Sequence, residues 1–142
     1  MNERDLIWAA GFFDGEGTAT ITGRRYVKGN LCKGYILATV VNSHREVLEE
    51  VFLNNWGGAI SPTSTKEHVH RWRIYNGNAT KFLKDILPYL KIKWQVAELV
   101  LEFSAYQQGL GMLCKENEPV RFAMIDEIRA LNAKHSGYKG FR

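Results

Sequence analysis

The chain has 142 residues, of which 45% are hydrophobic and 12% aromatic, and its formal net charge is +4. This size and composition predict one folded domain spanning residues 1–142 with a substantial core, and they exclude a disordered chain. No apolar run approaches the roughly 20 residues that a membrane span needs, and Glu3 and Asp5 interrupt the N-terminus where a signal peptide is apolar. We therefore expect a non-secreted, intracellular protein whose basic charge suits, without requiring, a polyanionic partner.

The first half of the chain predicts a helix, two strands and a second helix. Residues 3–14 follow a helical apolar spacing behind the capping residue Asn2, and Gly15 and Gly17 are expected to end this helix in left-handed backbone. Alternating apolar and polar residues from 18 predict a first strand, which a turn at residues 28–30 joins to a second strand over residues 33–42. Asn42 or Ser43 then begins a helix that stops at Gly57 and Gly58.

The second half predicts a hairpin followed by helices. Strands are expected over residues 59–65 and 68–75, and a helix that opens at Asn78 or Thr80 is broken by Pro88. Further helices cover about residues 93–107 and 119–132. The order α-β-β-α-β-β-α, followed by more helices, predicts an α+β fold with one four-stranded antiparallel sheet backed by helices.

The stretch AAGFFDGEG, residues 9–17, carries two acids at the C-terminal end of an apolar helix. Carboxylates there oppose the helix dipole, so a divalent cation is one natural compensator for Asp14 and Glu16. Gly11 and Gly15 lie four residues apart on one face, a spacing that allows another helix to approach closely. The alternative is that the glycines only cap the helix and that both acids point into water.

These nine residues resemble the signature of the LAGLIDADG homing endonucleases, with Ala9 in place of the first leucine and Glu16 in place of the second aspartate. The segment LPYLKIK, residues 87–93, followed by a long apolar helix, resembles the part of that family that holds its active-site lysine. The resemblance covers nearly the whole chain. It implies a four-stranded sheet that saddles the DNA major groove and a metal-dependent endonuclease activity.

The resemblance also implies the metal site and the assembly. Glu16 would be the metal-binding carboxylate, aided by the main-chain carbonyl of Gly15, and the ion would be Mg²⁺, with Mn²⁺ or Ca²⁺ able to replace it in binding. A single motif in a short chain implies a homodimer whose two motif helices pack along the two-fold axis. The interface would include Ala10, Gly11, Phe12 and Gly15. No membrane and no nucleotide cofactor are expected.

Three further residues take catalytic roles from the resemblance. Lys93 would stand near the scissile phosphate, where it stabilises the transition state or the water network; Lys91 takes this role if the alignment shifts. Asn42 would orient water at the end of the second strand, with Arg45 on the next turn. For both of these the alternative is membership of a helix cap, and Asp14 is expected only to cap or brace the turn.

DNA contacts are expected from the exposed faces of the strands. A two-stranded ribbon fits the major groove, where each base pair presents a distinct hydrogen-bond pattern. The absence of acids between residues 17 and 45 favours this role, whereas the alternative is that half-exposed strands carry Thr, Arg and Tyr because these suit strands. The candidate contacts are Thr20, Thr22, Arg24, Tyr26, Lys28, Lys33, Tyr35, Thr39, Ser61, Thr63, Thr65, Lys66, Arg71, Arg73 and Tyr75.

The sequence thus predicts a homodimeric endonuclease that makes a Mg²⁺-dependent double-strand break, with 3′ overhangs, in a long and roughly palindromic DNA site. The alternative function is a non-cleaving intron maturase or a DNA-binding regulator on the same fold. A pure binding protein would have no need of both Glu16 and Lys93, which favours the enzyme.

Overall fold

The computed structural model describes residues 1–23, 26–27, 30–31, 34–63, 68–110 and 115–135. Six strands lie in this part of the chain. They are β1 Gly17–Thr22, β2 Tyr26–Val27, β3 Asn30–Leu31, β4 Tyr35–Asn42, β5 Ala59–Pro62 and β6 His70–Tyr75. Strands β1, β4, β6 and β5 form, in that order, one antiparallel sheet, while β2 and β3 pair as a separate two-stranded ribbon.

The helices surround one face of this sheet. They are α1 Glu3–Glu16, α2 Arg45–Val47, α3 Asn54–Trp56, α4 Asn76–Ile86, α5 Trp94–Gly109 and α6 Glu118–His135, with a π-helical segment Leu48–Leu53 joining α2 to α3. Short 3₁₀ turns occupy Leu87–Tyr89 and Lys115–Asn117. The expected α+β fold with a four-stranded antiparallel sheet backed by helices is confirmed.

The core lies between the helices and the sheet. Phe52, Trp72 and Phe82 are fully buried, and their ring centroids are 5.0 Å apart for Phe52–Trp72 and for Trp72–Phe82. Phe13 joins the group through an edge contact with Phe82 at 5.3 Å. Helix α1 is therefore fixed to the core by its C-terminal turn, which sets where its acids point.

The first helix ends differently from the expectation. Asn2 caps its start as predicted, because the Asn2 side chain accepts a hydrogen bond from the backbone N–H of Asp5. However, Gly15 is helical and Gly17 begins β1 with φ −98°, so the prediction of left-handed glycines here was wrong. Gly17 is needed for a different reason: a Cβ there would lie 2.2 Å from the ring of Phe13.

Other boundaries shift for local backbone reasons. The expected first strand breaks after Thr22, where Gly23 has φ +122°. Helix α4 begins at Asn76, earlier than expected, since Asn76 itself takes φ +53° and turns the chain directly out of β6. Gly57 and Gly58, with φ +82° and +91°, end the helical stretch after Trp56 as predicted.

Within the described residues, no helix combines the length and the apolar character that crossing a membrane requires.

Candidate functional site

The carboxylate of Asp14 joins the last turn of α1 to the start of α5. Asp14 is 9% exposed. Its Oδ2 accepts the backbone N–H of Lys91 at 2.7 Å, and its Oδ1 accepts those of Ile92 and Lys93 at 3.2 and 2.9 Å. The expectation that Asp14 braces a turn is confirmed, and the turn is residues 91–93 rather than the end of its own helix.

This arrangement explains how a carboxylate is tolerated at the negative end of α1. The three N–H groups that donate to Asp14 directly precede Trp94, the first residue of α5. Asp14 therefore lies at the N-terminal, positive end of the α5 dipole. No metal ion is needed to compensate Asp14, and the sequence pattern could not show this because the two segments are far apart in the chain. Of the two acids, Glu16 accepts no such hydrogen bond from the residues that the structure describes.

The side chain of Lys93 returns toward the end of α1. Its Nζ donates to the carbonyl oxygens of Phe13, at 3.3 Å, and of Gly17. Both are carbonyls at the C-terminus of a helix, where a cation is favoured. Lys93 is half-buried, whereas Lys91 is exposed. The side chain of Lys93 is therefore held by the protein rather than fully solvated.

Burial sets the protonation behaviour of Lys93. Desolvation of the ammonium lowers the pKa of Lys93 below the ordinary value of 10.5, and the negative charges of Asp14 and Glu16 oppose this by raising it. Glu16 is the last residue of α1, and the Lys93 ammonium donates to the carbonyl of the next residue, Gly17. The carboxylate and the ammonium therefore lie at the same end of α1. A basic and an acidic group are thereby presented together at one edge of the sheet.

Glu16 is the last residue of α1 and its side chain is exposed. An exposed, hard oxygen donor of this kind fits a divalent cation such as Mg²⁺. Among the described residues, no group of three or more His, Cys, Asp or Glu side chains could enclose a metal ion. In the part of the chain that the structure describes, Glu16 is thus the exposed carboxylate at this end of α1.

Asn42 and Arg45 lie at the end of β4, and their contacts are those of a helix start. The side-chain oxygen of Asn42 accepts the backbone N–H of His44 at 2.8 Å, and Arg45 forms an ion pair with Glu49 one turn later. Because Gly17 pairs with Val40, the end of β4 lies at the same edge of the sheet as Glu16. The cap of α2 is His44, which makes no side-chain cap hydrogen bond, so the expectation that Asn42 or Ser43 caps this helix was wrong. The catalytic role of Asn42 and Arg45 stays a prediction.

The expected dimer helix α1 exposes only part of the predicted interface. Ile7, Gly11 and Gly15 follow each other at a spacing of four and are exposed, and Trp8 beside them is 47% exposed. Phe12 is half-buried against Trp8, with 5.0 Å between ring centroids. Ala10, in contrast, is fully buried in the core of its own protomer, so its assignment to the interface was wrong.

A Cβ added at Gly11 or Gly15 would meet no atom within 4 Å. The fold of the protomer therefore gives no steric reason for glycine at either position. Glycine inside a helix costs about 1 kcal/mol relative to alanine. An approaching second backbone would supply the missing reason.

The sheet face opposite the helices carries the described candidates for DNA contact. Thr20 and Thr22 of β1, Tyr35 and Thr39 of β4, and Arg71, Arg73 and Tyr75 of β6 alternate with buried residues. Register aligns them across the strands: Thr39 is opposite Arg73, and Thr22 is opposite Tyr35. Leu37 and Val41 lie on the same face and are half-buried, although they were not predicted from the sequence to contact DNA.

Two of these side chains are already connected. Arg73 donates through Nη2 to the hydroxyl of Ser61 at 3.2 Å, which limits the positions that the guanidinium can take. Thr63 is half-buried, and its backbone N–H donates to the carbonyl of Val69 at 2.9 Å. Arg24, Lys28, Lys33, Thr65 and Lys66 lie outside the described residues, as does the side chain of Tyr26.

Solved structures of homing endonucleases share this fold. An archaeal intron-encoded homing endonuclease complexed with DNA, I-Vdi141I, matches with a TM-score of 0.77 at 16% identity over 91% of this chain and 84% of its own. I-CvuI, in complex with a DNA target that is not cleaved in the presence of Mg, matches with a TM-score of 0.72 at 19% identity over 92% and 85%. The resemblance seen in the motif is confirmed by this likeness, and the fold is that of the LAGLIDADG homing endonucleases.

The share of each relative that is matched differs. The LAGLIDADG homing endonuclease I-SmaMI, bound to cleaved DNA, matches with a TM-score of 0.68 at 17% identity over 94% of this chain but only 45% of its own. No protein-family model matches the chain, and no curated protein does.

We expect Asp14→Asn to destabilise the protein by about 1–3 kcal/mol, because an amide oxygen cannot satisfy all three buried N–H donors and its NH₂ group opposes them. Urea denaturation of the purified protein measures this loss. Glu16→Gln is the matched control two residues away: it is exposed and should change the free energy of unfolding by less than about 0.5 kcal/mol. Equal effects of the two variants would contradict the bracing role.

We expect the pKa of Lys93 to lie below 10.5 and to fall further in Glu16→Gln, since that variant removes a negative charge that raises it. NMR titration of the lysine side-chain carbons measures the shift. Glu3→Gln, at the other end of α1, is the control and should leave the pKa of Lys93 unchanged. A pKa of Lys93 that is identical in both variants would mean that Glu16 does not approach Nζ.

Proposed function

We infer, from the LAGLIDADG homing endonuclease fold and from the placement of Glu16 and Lys93 at the same end of α1, that this protein is a site-specific DNA endonuclease. The observation that carries the proposal is the arrangement at the end of α1. Asp14 accepts hydrogen bonds from residues 91–93, and the Lys93 side chain donates to the carbonyls of Phe13 and Gly17, while Glu16 between them is exposed. A binding protein gains nothing from an exposed carboxylate beside DNA, because it repels phosphates unless a cation intervenes.

The chain would contribute the ligands and the positive charge that phosphodiester hydrolysis requires. Glu16 and the carbonyl of Gly15 would hold Mg²⁺, which when bound supplies an activated water and stabilises the leaving oxygen. Lys93, held at the adjacent carbonyls of Phe13 and Gly17, would place its ammonium near the scissile phosphate and stabilise the charge of the transition state. Asn42 and Arg45 would assist from the end of β4.

We propose that two copies of the chain form the active protein. One protomer offers a single free carboxylate at the end of α1, and hydrolysis of both DNA strands needs a site for each strand. Packing of two α1 helices through Gly11 and Gly15 would bring two Glu16 side chains together and would cover Ile7 and Trp8. This chain matches only 45% of I-SmaMI, which is consistent with two such units in one larger chain there.

The exposed sheet face would bind double-stranded DNA. Three known relatives of this fold are described as complexes with DNA, and here the face presents Thr, Tyr and Arg side chains in register. Arg71 and Arg73 are suited to guanine edges in the major groove. A two-fold dimer implies a long and roughly palindromic site, and cleavage across the minor groove would leave 3′ overhangs.

We expect Glu16→Gln to abolish Mg²⁺-dependent cleavage, with at least about a 10²-fold loss of rate, while DNA binding persists. Lys93→Met should lower the rate by a similar factor, because it removes the positive charge at the phosphate. Lys91→Met, an exposed lysine two residues away, is the matched control. Single-turnover cleavage of a target selected from a randomised DNA library measures all three.

Full activity of Glu16→Gln would exclude it as the metal ligand. Target binding by the unmodified protein without any cleavage would favour the maturase or regulator function instead. A greater loss in Lys91→Met than in Lys93→Met would transfer the catalytic role to Lys91.

We expect Gly11→Leu to convert the protein to a monomer, since the side chain would separate two α1 backbones without disturbing the protomer. Analytical ultracentrifugation measures the mass, and circular dichroism checks the fold. Gly77→Leu is the control, because Gly77 is also helical with open space around a Cβ. A Gly11→Leu protein that remains dimeric would show that the copies associate through another surface.

A further inference from the structure

We propose that Gln107 is a positioning residue for DNA recognition, which fixes the β2–β3 ribbon at a set distance from the candidate active site. The recognition role rests on the proposed function, whereas the contact itself does not. Gln107 lies near the end of α5 and is half-buried. Nothing in the motif AAGFFDGEG or in its lysine segment indicates such a residue.

Gln107 holds the backbone of Gly34 from both sides of the peptide unit. Its Nε2 donates to the carbonyl of Gly34 at 2.9 Å, and its Oε1 accepts the N–H of Gly34 at 3.4 Å. Gly34 directly precedes β4, and only residues 32 and 33, which lie outside the described part of the chain, separate it from β3. We call this pair of hydrogen bonds the Gln107–Gly34 clamp.

Steric contacts make the position of Gly34 strict. A Cβ there would lie 2.8 Å from Cγ2 of Ile21 and 2.8 Å from Cζ of Phe103, and both of these side chains are buried. Gly34 is therefore wedged between the end of β1 and the inner face of α5. Its backbone cannot move outward without losing the hydrogen bonds to Gln107, nor inward without a clash.

The clamp lies at the opposite end of α5 from Lys93. Helix α5 has 16 residues, which span about 24 Å at 1.5 Å per residue. Its start is fixed by Asp14 and by the contact of Lys93 with Gly17, the first residue of β1. Its end is fixed at Gly34, beside the Thr22–Tyr35 pair that closes β1 against β4. The helix therefore runs alongside β1 and is anchored at both ends of that strand.

This geometry gives the clamp a role in recognition. If α1 lies at the two-fold axis as proposed, Glu16 is near the centre of the DNA site. The Thr22–Tyr35 end of the sheet, between which the β2–β3 ribbon comes in the chain, is then toward the outer end of that site. A ribbon held at one distance and angle by α5 would contact the same outer base pairs in each complex. Loss of the clamp would then reduce discrimination at the outer base pairs and leave the chemistry at the centre unchanged.

Gln107→Leu tests the proposal, because leucine has a similar volume and can form neither hydrogen bond. Gln108→Leu is the matched control on the adjacent, exposed residue, and Gly34→Ala disturbs the same contact from the other side. We expect Gln107→Leu to raise the Kd for the selected DNA target roughly tenfold. The single-turnover rate at saturating DNA should stay within about twofold of the unmodified protein.

Two further measurements separate positioning from a general loss of fold. Cleavage of targets with single substitutions should lose discrimination at the outer base pairs only, and Gln107→Glu, which places a carboxylate oxygen instead of a donor against the Gly34 carbonyl, should lose the clamp as Gln107→Leu does. In the protein without DNA, backbone amides of Gly34 and of the paired residues of β2 and β3 should exchange faster in Gln107→Leu and Gly34→Ala than in Gln108→Leu.

Unchanged amide exchange, or a loss of rate equal to the loss of binding, would overturn the proposal. Equal loss of discrimination at central and outer base pairs would overturn it as well. If the unmodified protein neither binds nor cleaves any DNA, the proposed function fails and the recognition role fails with it. Amide exchange would then still decide whether the Gln107–Gly34 clamp fixes the ribbon.

Discussion

The three hydrogen bonds that Asp14 accepts from residues 91–93 are the interaction on which the arrangement of the candidate site depends. They connect the end of α1 to the start of α5 and place a negative charge where the dipole of α5 favours it. Because residues 91–93 are held in this way, the side chain of Lys93 reaches back to the carbonyls at the end of α1. Two acids in one short motif thus differ in role: Asp14 builds the site, and Glu16 remains available to a ligand.

The same helix α5 relates this site to the sheet. Its first residues are fixed beside Gly17 and its last turn is fixed beside Gly34, so it is anchored at both ends of β1. The strands in turn align their exposed side chains by antiparallel pairing, with Thr39 opposite Arg73 and Thr22 opposite Tyr35. The exposed face of the sheet and the candidate site at the end of α1 therefore have fixed positions relative to each other. Helix α5 and the hydrogen-bonded strands maintain these positions.

The space around the Cβ position differs among the three glycines of the motif. Gly17 has no room for a side chain, because the buried ring of Phe13 occupies the space that its Cβ would need. Gly11 and Gly15 have open space on the protomer surface, where a glycine weakens the helix without any benefit to the isolated chain. The contrast separates a glycine that the packing of the chain requires from two glycines that it does not require, and sequence spacing alone treats all three alike.

The sequence by itself determined the order of helices and strands, the antiparallel sheet and the motif that carries Glu16, because these depend on local periodicity, capping and spacing. It also singled out Lys93 through the resemblance of its segment to a known family, and the catalytic role of Lys93 stays a prediction. Only the tertiary structure decided that Asp14 binds residues 91–93, that Ala10 faces the core and that Gln107 holds Gly34, because each joins or buries groups through contacts between residues distant in the chain. Local sequence patterns specify which face of a helix or strand is apolar. The packing of elements that are distant in the chain specifies the hydrogen-bond partner of each polar group.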